Sequence, residues 1–366
     1  MSSTSLPLRV GPPPPLAALF LIKFDVKIGY TIAWKRALDG ITLDNTVEFK
    51  SLPSGLHHVQ SDRVYFVHDA FAGLSAFAQR KASDAQRGAE FAAVGVLVRL
   101  NDGRVGRAWE HAAALERLVQ RVISGEGVGE LEEYWEGHKE EAAGEGEGED
   151  ENGVKPPRHS RALSAATVPD ATLAPDHPVR SIRAYLDTFG PLVYPLWRAA
   201  LLRKRILFMT APPVRASCEY VYDLSILSSL PASLSPLLPQ PTPPRLTPLF
   251  ALGIHDIPLL SDPEMTSWAA CSTDEILALK AGLYDLLVEM PPQRYVPSRT
   301  GRRRVWPVLK AAGTGARILA TQRDWRAWKA LREALGPAGG WDDRGEDQEG
   351  EEEPLLRARH GAEEED

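Results

Sequence analysis

Two histidine arrangements could prepare a general base: His57-His58 and the neighbours His255-Asp256. A His-Asp pair does so only where the fold brings a nucleophile to it. Without one, these residue types cap turns and make structural hydrogen bonds. No such nucleophile is written locally, because the chain has no GxSxG elbow, no GxxxxGK[ST] loop, no HExxH and no EF-hand loop. Gly125-Glu126-Gly127-Val128-Gly129 follows a helical pattern among acids that would repel a phosphate, and Gly313-Thr314-Gly315 lacks the strand and third glycine of a dinucleotide fingerprint. Asp274, in Ser272-Thr273-Asp274, reads as a helix cap. Cys218 and Cys271 are far apart in sequence and outside any CxxC or Cys/His ligand spacing, so neither a disulfide framework nor a zinc site is legible and a reducing, intracellular compartment fits. The expectation is a protein with no catalytic residues, no metal and no cofactor.

The strongest cationic cluster is Arg294, Arg299, Arg302, Arg303 and Arg304, with Pro297 and Gly301 marking a loop. Such a loop is either a solvated surface or a contact for an anionic surface, and Arg299, Arg302, Arg303 and Arg304 are the membrane-contact candidates. No interleaved aromatic platform accompanies the arginines, which weighs against single-stranded nucleic acid, and no nucleic acid is expected. With 366 residues, 43% hydrophobic and 25% charged, the chain has globular composition and length for two domains. Leu16 to Ile22 is too short an apolar run to span a membrane and has no basic residues or cleavage site of a secretory signal. The net charge of −7 hides a division. Residues 130–152 hold 11 acids against Lys139, and residues 342–366 hold 12 against three arginines. Both read as solvated, disordered acid. The remainder carries 38 basic and 26 acidic residues, a mildly basic globular part suited to anionic surfaces.

Hydrophobic periodicity then supplies the elements. Leu19 to Val26, Tyr30 to Trp34, Arg63 to His68, Leu74 to Gln79 and Glu90 to Arg99 read as strands, with a short helix or turn at Thr46 to Lys50. Trp109, Ala112, Leu115, Leu118, Val119 and Val122 share one helical face. From about Gly125 the composition becomes that of a linker, and the order up to it is β-β-α-β-β-β-α. A second region follows His177: helices at Val179 to Leu186, Leu192 to Leu202 and Val214 to Ser229, a corner at Phe189-Gly190-Pro191, strands at Ile206 to Met209, Leu249 to Gly253, Trp268 to Cys271 and Leu283 to Val288, and a final amphipathic helix, Ile318 to Leu335. Trp197 is placed in the core, packed on the Ile206 strand. Residues 231–248 read as a proline-dense loop.

Several segments together resemble the DENN-domain family, in its LCHN-like branch. In the first half these are Phe24-Asp25 through Gly29, Val47-Glu48-Phe49-Lys50-Ser51-Leu52-Pro53-Ser54-Gly55-Leu56-His57 and Val64-Tyr65-Phe66. In the second they are Phe189-Gly190-Pro191, Leu196-Trp197-Arg198, Leu202 through Leu207, Gly253-Ile254-His255-Asp256-Ile257, Cys271 through Leu277 and Tyr284 through Val288. The resemblance implies an α/β protein of two lobes, an N-terminal longin-like lobe and a central three-layer αβα lobe, joined by a disordered acidic linker. The boundaries it suggests are a disordered N-terminus at 1–18, the longin-like lobe at 19–135, the Ser/Pro-rich linker at 136–176, the central lobe at 177–340 and an acidic disordered tail at 341–366.

DENN proteins typically act as guanine-nucleotide exchange factors for Rab-type small GTPases. The resemblance therefore implies such a factor in vesicle traffic, cytoplasmic and peripheral on vesicle or endomembrane surfaces, whose partners are a Rab-type GTPase and an anionic membrane. Exchange breaks no covalent bond, in keeping with the absent catalytic signatures. The alternative is a DENN-like adaptor that binds a GTPase or membrane without exchange. It is suggested because only about 45 residues separate Pro291 from the acidic tail, where a further helical segment usually follows the central lobe. Among the matching residues the polar ones, Asp25, Glu48, Lys50, Arg203, Lys204, Asp256 and Asp285, are the candidates for contact with the GTPase.

Overall fold

The computed structural model describes residues 12–25, 29–56, 59–81, 89–100, 106–125, 127–140, 173–237, 242–291 and 305–336. In the first half, β1 (Leu16–Asp25) and β2 (Gly29–Ala37) form a hairpin, followed by α1 (Val47–Ser51), β3 (Ser61–His68), β4 (Phe71–Lys81), β5 (Ala89–Arg99), α2 (Ala112–Ile123) and α3 (Val128–His138). The second half runs α4 (Ile182–Phe189), α5 (Val193–Leu201), β6 (Ile206–Met209), α6 (Arg215–Leu227), β7 (Thr247–Ala251), α7 (Ile257–Leu260), β8 (Trp268–Ser272), α8 (Glu275–Leu279), β9 (Leu286–Glu289), β10 (Val308–Ala311), β11 (Arg317–Ile318) and α9 (Gln322–Leu335).

The halves share one eleven-stranded sheet, ordered β11-β10-β9-β6-β8-β7-β3-β4-β5-β1-β2. Strands β1 to β5 pair antiparallel. Strands β7, β8, β6 and β9 pair parallel, with β10 and β11 antiparallel at the edge. The seam between the two pairing patterns is one antiparallel bridge, Phe66 to Phe250. Both sheet faces are covered, so the strands are continuous apolar runs whose alternation separates two cores. In β1, Leu19 and Leu21 enter the core under α2 to α6, while Phe20 and Ile22 enter the one under α1. In β6, Ile206 and Phe208 face the first of these, and Leu207 faces a third cluster under α7 and α8. The core beneath α2 and α4 to α6 runs unbroken through both halves.

Polar ties reinforce the seam. Asp62 of β3 accepts the Val214 and Arg215 N–H groups at 2.6 and 3.2 Å, a carboxylate from one half seated at the N-terminus of a helix in the other. Burial raises its pKa to about 6 against the opposing pull of those donors. Arg63 binds Glu116 of α2 and, at 2.7 Å, Asp176 ahead of the second half. The two cysteines, remote in sequence, come within 3.6 Å of each other between α6 and β8, and Cys218 also donates to Tyr65 O of β3. Both are buried free thiols, and burial pushes the Cys218 thiol up, which makes it unreactive.

Several expectations change. Residues 128–138 form helix α3 rather than the start of a linker. Leu131 and Trp135, one turn apart, are buried, and Tyr134 Oη meets His111 Nδ1 at 2.7 Å. Trp197 is not core: it is 38% exposed and its indole N–H donates to Leu227 O, whereas its neighbour Leu196 is fully buried. The final helix starts at Gln322, not Ile318, because β11 precedes it and Thr321 caps it with Asp324 in a reciprocal box. The Phe189-Gly190-Pro191 corner is present, with Gly190 at φ +51°, where an added Cβ would lie 2.2 Å from the Trp306 ring. Residues 141–172 of the expected linker, the tail and the Arg299–Arg304 cluster lie outside the described residues, whereas residues 173–176 of that linker are described and Asp176 pairs with Arg63.

Asp223 of α6 is fully buried, and burial raises its pKa to about 8. Ser181 Oγ lies 2.6 Å from Asp223 Oδ2 and 2.7 Å from Pro178 O, and one hydroxyl proton cannot serve both. A protonated Asp223 donating to Ser181 Oγ satisfies the set. The folded chain thus holds a proton that the unfolded chain releases near pH 4, so this residue's contribution to stability is full below pH 4 and lost as pH rises to about 8. In urea denaturation the wild type is expected to lose stability relative to Asp223→Asn as pH rises from 4 to 8, a difference that removes the opposing gain from buried His111, whose pKa is lowered to about 4, and the variant should be the more stable protein at pH 8.

Candidate interaction site

The most elaborate arrangement of side chains lies where α1 meets the crossover that leaves the C-terminal end of β7. In a five-residue helix, Val47 and Ser51, one turn apart, face inward, which leaves Phe49 outward. Glu48 is buried instead and its carboxylate accepts the Asn45 and Thr46 N–H groups, both at 2.9 Å. Lys50 reaches inward across the seam. Its Nζ donates to Val67 O at 2.8 Å and pairs with Asp256 Oδ1 at 2.9 Å, with both side chains largely shielded from solvent. Asp256 ends a short 3-10 helix at Ile254–Asp256 and caps it, accepting the Gly253 N–H at 3.0 Å.

Above this buried pair several apolar side chains are exposed. Phe49 stacks on His255, centroids 4.1 Å apart and planes 21° from parallel. Phe49 is 38% exposed, Ile254 42% and Ile276, at the start of α8, 52%. Asp274 knits the group together. Ser54 Oγ donates to its Oδ1 at 2.5 Å and the Ile254 N–H donates to its Oδ2 at 3.2 Å. It occupies the N-cap position of α8, as its sequence context suggests, yet its carboxylate serves the seam rather than that helix. His255 faces a phenyl ring and Asp256 a lysine, so the adjacent pair does structural work with no nucleophile between them. The site also sits beyond the C-terminal ends of parallel strands β7 and β8, the usual binding end of such sheets.

The sequence-nominated residues divide by position. Lys50 and Asp256 pair at the seam, while Glu48 accepts backbone N–H groups at the start of α1, so all three charges are satisfied inside the chain. Arg203, Lys204 and Asp285 gather at the opposite, N-terminal ends of β6 and β9. There Arg203, at φ +56°, donates to Ala200 O, Ser228 O and Pro243 O and ties two helix ends to a loop. Asp285 pairs with Arg205 at 3.0 Å. Burial pushes its carboxyl up, but the Arg205 hydrogen bonds and charge hold it below the ordinary range. Lys204 is exposed. Asp25 closes the β1–β2 hairpin opposite Gly29, far along the sheet. The apolar residues Phe49, Ile254 and Ile276 were not singled out, although the one-turn spacing of Val47 and Ser51 already turns Phe49 outward. Among the described residues, no group of three or more His, Cys, Asp or Glu could hold a metal ion, and no helix is long and apolar enough to cross a membrane.

A family model described as DENN domain-containing protein 11 matches residues 19–300, which include every residue of this site. The chain belongs to that family. It is 33% identical to DENN domain-containing protein 11 of Xenopus laevis over 306 residues, covering 81% of this chain and 63% of the relative. The corresponding figures are 31% over 282 residues for the Danio rerio protein, with 75% and 53% covered, and 32% over 280 residues for the Mus musculus protein, with 75% and 57% covered. The chain thus spans a little over half the length of the curated relatives it matches.

In this DENN-family chain the Lys50–Asp256 pair predicts a measurable coupling. Lys50→Met strands a buried carboxylate and should cost about 3–5 kcal/mol in urea denaturation. Lys50→Met combined with Asp256→Asn should recover much of that loss, because no unpaired charge remains. A double variant as unstable as the sum of the single ones would show that the two residues do not act as a pair.

Proposed function

We propose that the chain is a guanine-nucleotide exchange factor for a Rab-type small GTPase in vesicle traffic, and that it binds the GTPase through the apolar surface at the seam. The observation that carries the location is the Phe49–His255 stack, flanked by exposed Ile254 and Ile276 and held by side chains from both halves. Membership of the DENN family supports the activity, since DENN proteins typically act on Rab-type GTPases. Exchange needs only a surface that prefers the empty GTPase. A tenfold preference weakens nucleotide tenfold, about 1.4 kcal/mol, because coupling is reciprocal. The switch loops of a GTPase are ordered by nucleotide and Mg²⁺ and loosen when these leave, so apolar residues fixed between two halves of one sheet can hold the loosened form.

The test is nucleotide release from a panel of purified Rab-type GTPases. The full chain should accelerate GDP release from at least one of them. Phe49→Ala combined with Ile254→Ala should reduce that acceleration at least tenfold while the thermal midpoint stays near wild type, since both side chains are exposed. Lys204→Glu, at the other end of the parallel strands, should leave it unchanged. Binding without acceleration would replace the proposal with the adaptor reading, and acceleration insensitive to Phe49 and Ile254 would move the site elsewhere.

A further inference from the structure

Helix α9 carries a row of cations that the GTPase reading does not use. Arg323, Arg326, Lys329 and Arg332 recur at every third position and all are exposed. The i, i+3 spacing winds them obliquely across the solvent face over about 14 Å. The helix is anchored from its other side. Trp328 is buried and Asp324 is paired with Arg198 at 2.7 Å, while Arg183 donates to Leu335 O and Gly336 O at the C-terminal end. The Lys329 ammonium lies over the Trp325 ring and the Arg332 guanidinium over the Trp328 ring, each 5.4 Å from the centroid, which lays both side chains along the helix. Arg323 and Arg326 make no ion pair among the described residues, and Arg317 adds an exposed cation just before the helix. Among the described residues the nearby acids are three. Asp324 is already paired, Asp187 shares the groove between α4 and α9 with Arg183 and Arg332, and Glu333 is the exposed acid of the helix itself.

We infer that this face of α9 docks the protein on an anionic phospholipid surface. Arg332 borders the groove between α4 and α9, whereas Arg323, Arg326 and Lys329 stand on the exposed side of the helix, where long cationic side chains can each meet headgroups that diffuse to them. Nucleic acid is disfavoured because the half-buried Trp325 ring is covered by Lys329 and stacks on Trp328, which is itself buried and meets Trp306 edge-on, so no row of free rings is offered to bases. The inference does not rest on exchange activity. Cations near a charged bilayer each strengthen binding roughly fivefold, so a few exposed arginines suffice for reversible attachment.

Co-sedimentation of the full chain with vesicles tests it. Vesicles of phosphatidylcholine and phosphatidylserine in a two-to-one ratio should retain the protein, and phosphatidylcholine alone should not. Raising salt from about 0.1 M to about 1 M, which shortens the Debye length from about 10 Å to about 3 Å, should release it. Arg323→Glu with Arg326→Glu should weaken binding at least tenfold, and Arg323→Lys with Arg326→Lys should retain it, with thermal melts confirming that both variants fold. Equal binding to neutral vesicles, undiminished binding of the charge-reversed protein, or stronger retention by double-stranded DNA than by the anionic vesicles would each overturn the inference.

Discussion

Antiparallel and parallel strands can share one sheet only if a strand between them satisfies both patterns; β9 does so toward the edge strand β10, and between the two halves β7 does so at Phe250. That residue pairs backwards with Phe66 of β3 and forwards with Ala270 of β8. The ladder to β8 slips between Pro248 and Phe250, and Phe250 takes a φ of +60°, a left-handed conformation that costs a non-glycine residue about 1–3 kcal/mol. The offset comes from its surroundings. The Phe250 ring packs 5.6 Å from Tyr65, and the Phe66 ring lies over Gly73, where a Cβ would come within 2.3 Å of it. The core under α2 and α4 to α6 then runs beneath both halves and buries the bridge.

The other cross-seam contacts follow from this one register. With β3 beside β7, Asp62 reaches the start of α6, Lys50 reaches Asp256 and Ser54 reaches Asp274. Each of these carboxylates is therefore an anchor between halves, and the surface above them is left to Phe49, Ile254 and Ile276. A binding surface assembled from two halves keeps its geometry only if the halves keep theirs, which gives the buried polar ties a functional reason to exist beyond stability.

Much of this was legible in the sequence because strand and helix periods are local. The five strands of the first half and the β6, β8 and α6 segments lie where alternation and turn residues put them. What was not legible is where chain segments meet. Charge identifies a residue that needs a partner but not whether the partner is internal, so Glu48, Lys50 and Asp256 read as candidate contact residues although the fold satisfies them. Helix α3 was masked by its glutamates, with Leu131 and Trp135 as its few apolar markers. Strand β10 is broken by Lys310 where β6 is an unbroken apolar run, β11 has only two residues, and the helix boundary at Thr321 was blurred by the apolar residues after Arg317. The continuous sheet depends on a single pairing between residues 184 positions apart in the chain, Phe66 and Phe250, for which sequence carries no local sign.

The central claim is that the β3–β7 seam unites the two halves into one cooperative structure. Hydrogen exchange followed by mass spectrometry across a urea series reads this directly, by comparing peptides spanning β3 with peptides spanning β7 and β8. The account predicts that both open with the same free energy and the same urea dependence, as parts of one unfolding event. Opening of β7 and β8 at lower urea while β3 to β5 remain protected, or the reverse, would contradict it.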